Sequence, residues 1–459
     1  MEWTSLGHAT WLCEVAGLRI LFDPLLEDAH YGGVFEVTPP RELSVEALRP
    51  DFVVVSHRHA DHFDVASLRR LAELDPDTVV VSPDALVIRA AARLGFRAVR
   101  EVAPGTRVEL DGATLLTTPS AGATVPECGI MVASSDGVVW NQVDTSVGTP
   151  AQARAFVVEA ARALGRSSAD LVSLLLARWQ PLLEVEATTA GALGFPLRAY
   201  AAELEHAAAI GAGAVVPSSA GVRHARPFAA MNRLVYPVTE SRFLRDAAAR
   251  MPDAQVFPCA TGAVYRVDRG RVTFDADAGV RAGLVALPGR PPADDRDFRP
   301  LDVAPLVDPN VAEQHGAEAR ARIDAWVRER LAPSLPTTSP ATRFLLEVVS
   351  PTGVDAYSIH ADATRATARV ELGTDPDWDV RCAVAASMLA DVIAARRHWG
   401  ELLLSGSLRG ASRAYEVGTA GVSGRALQPL FVYYALDYEQ SVERAVEHAL
   451  APSGSPRLA

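Results

Sequence analysis

Three imidazoles and a carboxylate fall within the six residues His57–His62, in the run Ser56-His57-Arg58-His59-Ala60-Asp61-His62. Neutral imidazole is a good ligand for transition metals, and a carboxylate adds a harder oxygen donor. An apolar run, Phe52 to Val55, precedes the cluster, and a helix-like run, Phe63 to Leu74, follows it. Side chains alternate along extended backbone, so His57 and His59 are expected to aim at one metal from the same side. Asp61 and His62 come where the chain leaves a strand for a helix, and are expected to turn toward a second metal beside the first. Strand, motif and helix in this order are more specific than a chance cluster of surface histidines.

The elements that must position these groups can be read around them. Strand-like runs are Arg19–Phe22, Phe52–Val55, Thr78–Ser82 and Ala113–Thr117. Helix-like runs are Val65–Leu74, Asp84–Leu94 (closed by Gly95), Gln152–Leu164 and Ala199–Ile210. Two strand-rich units with helices outside predict an α/β fold, an αβ/βα sandwich that buries both sheets. From Leu287 the composition changes. Pro288–Pro300 is proline-rich and charged, a helix is expected over Asn310–Leu331, and Ala332–Pro340 is again punctuated by proline. Beyond residue 341, strand-like Arg343–Ser350, Ala356–His360 and Thr367–Leu372 precede an expected helix over Val380–Arg397. The expected organisation is a catalytic domain over 1–285, a linker with a connecting helix over 286–340, and a small C-terminal α/β accessory domain over 341–459.

The histidine run resembles the H-x-H-x-D-H signature of the metallo-β-lactamase fold superfamily. Leu6–Thr10, then Trp11–Val15 and Gly17–Pro24, is similar to the opening hairpin of the branch that includes ascorbate-6-phosphate lactonases. Gly137–Thr145, with Asn141 ahead of Asp144, and Val215–Gly221 resemble the metallo-β-lactamase domain of CMP-N-acetylneuraminate hydroxylase-like proteins. The resemblance covers roughly residues 1 to 265.

That resemblance implies a dinuclear centre, with His57 and His59 on one metal, Asp61 and His62 on the other, and Asp144 bridging. It also implies a third histidine for the first metal, but no histidine occurs between His62 and His206. Glu127, ahead of the Asp144 strand, is the expected replacement, with Cys128 as a sulfur alternative. For the late histidine, His224 in a loop after a strand is favoured over His206 on a helix face. Asp23, of the Asp-Pro pair, is expected to support the histidine loop. His8 is expected to support the site or meet substrate, and so is Arg58.

The remaining composition bounds the function. The chain has 459 residues, a net charge of −12, and no lysine. An acidic balance argues against a nucleic-acid surface. Four cysteines, far apart and without a C-x-x-C pair, exclude an iron–sulfur cluster of the chain's own and suggest free thiols in a reducing cytoplasm. No signal peptide or membrane-length apolar run is evident, so a cytoplasmic protein without membrane contact is expected. The expected cofactors are two divalent ions, zinc or iron, with manganese as an alternative. The leading expectation is a hydrolase using metal-bound hydroxide on a small molecule, with Asp61 orienting water or taking its proton. The oxygen-richer ligand set supports a second expectation, a di-iron oxygenase or oxidase drawing on an external electron donor. A third is a metal-stabilised binding protein without catalysis.

Overall fold

The computed structural model describes residues 1–188, 194–288, 298–299, 306–309, 317–338, 343–362, 364–413, 415–418, 421–424 and 428–451. Two sheets form the first unit. An eight-stranded sheet runs in the order Arg271–Asp275, Val264–Asp268, Glu2–Ser5, Trp11–Val15, Leu18–Phe22, Phe52–Val54, Val79–Ser82 and Ala98–Glu101. A seven-stranded sheet runs Arg107–Leu110, Ala113–Thr118, Gly129–Ser134, Gly137–Asn141, Leu174–Ala177, Ala214–Pro217 and Gln255–Val256. In each, antiparallel hairpins give way to parallel strands joined through helices. The Val-rich parallel strands are buried on both faces, as such crossovers require.

Between the sheets lies an apolar layer in which Trp3, Trp11, Cys13 and Phe22 meet Ile130, Val132, Val139 and Leu174. Outside the first sheet, Val53, Val55 and Val80 pack on Leu68 and Leu71 of Val65–Leu74 and on Val87 and Ala91 of Ala85–Leu94. Outside the second, Trp140, Leu175 and Val215 pack on helices Pro150–Ala163, Leu197–Ile210 and Glu240–Arg250. These four layers are the αβ/βα sandwich that the sequence predicts.

A five-stranded sheet carries the additional C-terminal α/β region, in the order Thr367–Leu372, Gly353–Asp362, Arg343–Ser350, Val380–Ala385 and Leu408–Ser412. One expectation is corrected here. Val380–Arg397 is not a continuous helix: Val380–Ala385 pairs in parallel with Arg343–Ser350, and the helix occupies only Ala386–Ile393. Val380, Cys382 and Val384 are buried while Arg381 between them is exposed, a period of two rather than of 3.6. The expected helix over Asn310–Leu331 is present as Ala317–Trp326, continuing to Leu331. Its first part, 310–316, and most of the proline-rich stretch after Pro288 lie outside the described residues.

The two regions share a core. Val34, Phe35 and Phe228 of the first join Phe344, Leu346, Leu389, Trp399 and Leu402 of the second in one apolar cluster. Helix Gln428–Leu450 then returns to the first unit, where Tyr438, Val442 and Val446 pack against the layer outside the eight-stranded sheet.

Candidate metal centre

The histidine loop is pinned at both ends. At its start, Asp23 N donates to Val54 O at 2.9 Å, placing the Asp23 carboxylate under the loop. This carboxylate is 1% exposed and accepts from Ser56 N (2.7 Å), Ser56 Oγ (2.8 Å) and His62 Nδ1 (3.0 Å). A carboxylate only accepts, so the network assigns the His62 proton to Nδ1 and leaves Nε2 to face the site. The Ser56 hydroxyl, its proton committed to Asp23, accepts from His57 Nδ1 at 2.9 Å and frees His57 Nε2. At the loop's end, Asp64 caps helix Val65–Leu74 by accepting from Ser67 N at 2.8 Å.

The donors converge from three places in the chain. His8, Asp61 and His62 form one group, and His57, His62 and Asp144 another, each with ligand atoms within 4.8 Å of one another. His62 Nε2 is 3.3 Å from Asp61 Oδ2 and 3.1 Å from Asp144 Oδ2, and His8 Nε2 is 3.3 Å from Asp61 Oδ2. His59 meets His57, Nδ1 to Nε2, at 2.9 Å. The strand ends at Val54, so this meeting comes from the loop's own turn rather than from strand alternation.

The electrostatics suit a cation. Burial penalises charge on His62, but Asp61, Asp144 and Asp23 outweigh it and raise its pKa well above the usual histidine value. Burial would raise the Asp61 carboxyl, yet His62 and His8 pull it well below the usual range. Asp144 is likewise penalised by burial and lowered by His62 and His57. His57, buried and beside His62 and His59, is pushed down and stays neutral. His8 Nε2 and His62 Nε2 face these carboxylates at 3.1–3.3 Å, and His8 Nδ1 is buried without a hydrogen bond. Two carboxylates and the imidazole nitrogens that face them fit divalent metal.

The backbone is strained around this point. His8 (φ 50°), Asp23 (φ 41°), Tyr31 (φ 55°), Val143 (φ 55°) and Ser219 (φ 61°) all occupy the left-handed region. Val143 is β-branched, for which this conformation is a true outlier. Asn141 Oδ1 accepts from Val143 N at 3.2 Å and helps hold the turn that swings Asp144 toward His62.

Not every expected residue joins the donors. Cys128 N donates to Ser56 O at 3.2 Å, which brings its segment to the histidine loop, but the Glu127 carboxylate takes the Ser120 hydroxyl and belongs to neither donor group. His224 is also apart from both groups: its Nε2 donates to Leu404 O at 3.0 Å, and its ring packs on Phe35 and Tyr236. Burial pushes its pKa down to about 4. Arg58 turns away from the centre onto the buried Asp84, with Nε to Oδ2 at 2.5 Å and Nη2 to Oδ1 at 2.7 Å. His206 is a helix residue whose Nδ1 lies 3.2 Å from Gly148 O.

Beside the donors opens a cavity of about 270 Å³, lined by His8, His59, Asp61 and Asp144 on the metal side. Leu182, Glu184 and Val185 come from around helix Glu184–Thr188, and Gly400, Leu403, Leu404 and Tyr434 from the C-terminal region. Burial, with Asp61, Asp144 and Glu186 nearby, pushes Glu184 up to about 8. His30, also on the wall, is 6% exposed, and burial pushes it down to about 4. Sequence reasoning passed over His30 and Glu184, since neither carries ligand spacing or a motif.

Residues 2–127 match the model of the beta-lactamase superfamily domain. A protein of Mycolicibacterium smegmatis named for a Rieske 2Fe-2S iron–sulfur centre is 32% identical over 155 residues, 31% of this chain and 30% of that protein. A UPF0173 metal-dependent hydrolase of Salinibacter ruber is 28% identical over 156 residues, 32% of this chain and 63% of the relative. The chain thus spans about a third of the mycobacterial relative and under two thirds of the hydrolase. Among solved structures, isothiocyanate hydrolase from Delia radicum gut bacteria shares 16% identity over 58% of this chain and 100% of its own, with a TM-score of 0.39. The matched segment, residues 2–127, holds His8, Asp23 and the whole histidine loop, and is a domain of the metallo-β-lactamase superfamily.

Proposed function

We propose that this chain is a metal-dependent hydrolase acting on a small molecule at a dinuclear centre built from His57, His59, Asp61, His62, Asp144 and His8. The observation that carries this reading is that the two donor groups share His62 and open onto one cavity. Divalent ions held there would supply Lewis acidity and a water nucleophile at neutral pH. Asp61, held between His8 and His62, is placed to orient a water or to take its proton. Asp23 keeps the His62 ring oriented, and the apolar walls exclude bulk water. Similarity to metal-dependent hydrolases supports the same reading.

A second reading, oxidative di-iron chemistry, is favoured by the carboxylate pair Asp61 and Asp144 and by the mycobacterial relative's name. Cys13, Cys128 and Cys382 are buried and separate, so electrons would come from an outside donor. Elemental analysis of protein purified without added metal separates the readings, alongside an anaerobic iron-loaded sample then exposed to oxygen. About two zinc per chain and no oxygen-dependent absorbance change support hydrolysis; iron with such a change supports oxidation. His57→Ala and His59→Ala are each expected to abolish metal binding at one position and activity under both readings. Full metal content in both variants would remove the assignment.

A further inference from the structure

A second cavity, of about 410 Å³, touches the histidine loop at Ala60, Phe63 and Asp64 rather than at the donors. Tyr31 lines both cavities. Helix Gln428–Leu450 gives the second one Tyr438, Val442, Ala445 and Ala449 from a single helical face, and residues 395–398 come from ahead of helix Trp399–Leu404. The two cavities differ in charge. The metal cavity carries Asp61, Asp144 and Glu184 and, among its described lining residues, no arginine. The second carries Arg396, Arg397 and Arg444, with His398 and His448. In a chain of net charge −12 without lysine, three guanidinium groups on one cavity are a local concentration of positive charge.

This wall holds more donors than its own bonds use. Arg444 bonds Asp437 through Nη2 at 2.8 Å, and Arg397 bonds Glu401 and Gly32 O through Nη1 at 2.7 and 3.1 Å. A guanidinium has five N–H groups in a planar fork, so both keep N–H groups beyond these bonds. Arg396 is turned to Asp391 through Nε and Nη2. His398 Nδ1 accepts from Gly400 N at 3.0 Å, which puts the proton of the neutral ring on Nε2, and Nε2 makes no hydrogen bond. The two carboxylates of the wall are already engaged, Asp64 by Ser67 N at 2.8 Å and Glu401 by His398 N at 3.0 Å and by Arg397. Surplus N–H groups beside engaged acceptors suit a ligand that brings acceptors of its own, and carboxylate or phosphate oxygens match the guanidinium fork. Phe63, Val65, Val442, Ala445 and Ala449 make the rest of the wall apolar. The cavity exceeds the roughly 150 Å³ that accommodates a benzene ring, so an apolar body fits beside the charged head.

We infer that this second cavity is an effector site for a small amphiphilic anion, whose carboxylate or phosphate head is held by Arg397 and Arg444 while its apolar body lies on Phe63, Val442 and Ala445. Binding here needs no metal, and only its effect on the loop rests on the metal-centred reading. That effect has a short path. Ala60 stands between His59 and Asp61, and Tyr438 donates its hydroxyl to Arg58 O, between His57 and His59. An occupant therefore touches both the histidine loop and the helix that clamps it. By holding the two together it tightens metal binding, and by linkage the metal tightens the anion by the same factor.

The test is titration calorimetry of metal-free, full-length protein with 4-phenylbutyrate, 3-phenylpropylphosphonate and 4-phenylbutyramide. The three share an apolar body, and only the first two are charged; the tighter of these names the head. The preferred anion is expected to bind at least about tenfold more tightly than the amide, and Arg444→Gln to remove about tenfold of its affinity while leaving the amide unchanged. Ala445→Trp, at an exposed position of the wall and so of little risk to folding, is expected to fill the cavity and abolish anion binding, with a wild-type circular dichroism spectrum. Saturating anion is expected to raise zinc affinity about fivefold or more in competition with a chelator, in wild type and not in Ala445→Trp. Anions that bind no more tightly than the amide, or that still bind Ala445→Trp, overturn the site, and the arginines then serve only Asp391, Glu401 and Asp437. Anion binding with unchanged zinc affinity overturns the effector role. A protein that binds the anion yet takes up no zinc keeps the anion site and defeats the metal-centred reading together with the effector role.

Discussion

A single buried carboxylate, Asp23, orders the centre from below. It sets the His62 tautomer directly and the His57 orientation through Ser56, while being held in a left-handed conformation itself. Asp23→Asn would replace an acceptor by a donor facing Ser56 or His62. Metal affinity is expected to fall about 10–100-fold with the fold retained, read by competition with a chelator. An unchanged affinity would mean the loop orients its rings unaided. Gly221 offers a second test, because a Cβ there would sit 2.7 Å from His8 N and 2.8 Å from His8 Cα. Gly221→Ala must move the His8 backbone and, on the proposed dinuclear reading, is expected to lower the metal content counted by elemental analysis; an unchanged metal content would leave His8 outside the ligand set. The run His57–His62 was legible in the sequence because the chain itself gathers it, and the structure places His57, Asp61 and His62, though not His59, in the donor groups. His8 as a donor and His30 on the wall were not legible, since only the hairpin of Glu2–Ser5 with Trp11–Val15 and the strand pair Ala29–His30 and Phe35–Val37 bring them there.

At the scale of elements, alternation and helical periodicity located the strands Leu18–Phe22, Phe52–Val54, Val79–Ser82 and Ala113–Thr118 and four of the flanking helices, because each buries one continuous face. They failed at Val380–Arg397, where a buried strand feeds directly into a helix without a turn residue to mark the change. They also favoured His224 as a ligand, since a loop after a strand is where this fold presents donors. The structure gives the ring to the last carbonyl of helix Trp399–Leu404 instead, a helix-end group that otherwise lacks a partner. Helix Gln428–Leu450 reaches the centre more directly. The Tyr438 hydroxyl donates to Arg58 O, the carbonyl between His57 and His59, and the Arg58 side chain is locked on Asp84. Tyr438→Phe should keep the packing and lose this bond. A fall of about three- to tenfold in metal affinity is expected, the worth of one hydrogen bond. Wild-type affinity in this variant would show that the returning helix only packs on the loop.

For the whole molecule, buried neutral histidines make stability depend on acidity. Burial holds His30, His224 and His398 at about 4, against an unfolded value near 6.5. Between these values the unfolded chain takes up protons that the folded chain refuses, so stability falls as pH drops through this window. His62 works in the opposite sense in metal-free protein, its raised pKa giving stability that is lost as pH climbs. His398 isolates the first effect, because its Nδ1 must stay unprotonated to accept from Gly400 N at 3.0 Å and cap helix Trp399–Leu404. His398→Asn keeps a good cap without a titrating group. The melting temperature of this variant is expected to fall less steeply than wild type between pH 6.5 and about 4; parallel curves would exclude His398 as a contributor.

The bond from Tyr438 to Arg58 also has a bearing on time. Its two ends are 380 residues apart, and a ribosome adding roughly 5–20 residues per second takes on the order of 20–80 s to cover that distance. Throughout that interval the nascent chain already carries its metal-binding loop but lacks the helix that clamps it. Metal capture by the newborn protein is therefore expected to come in two phases, an early weak association and a later tightening when translation delivers the clamp.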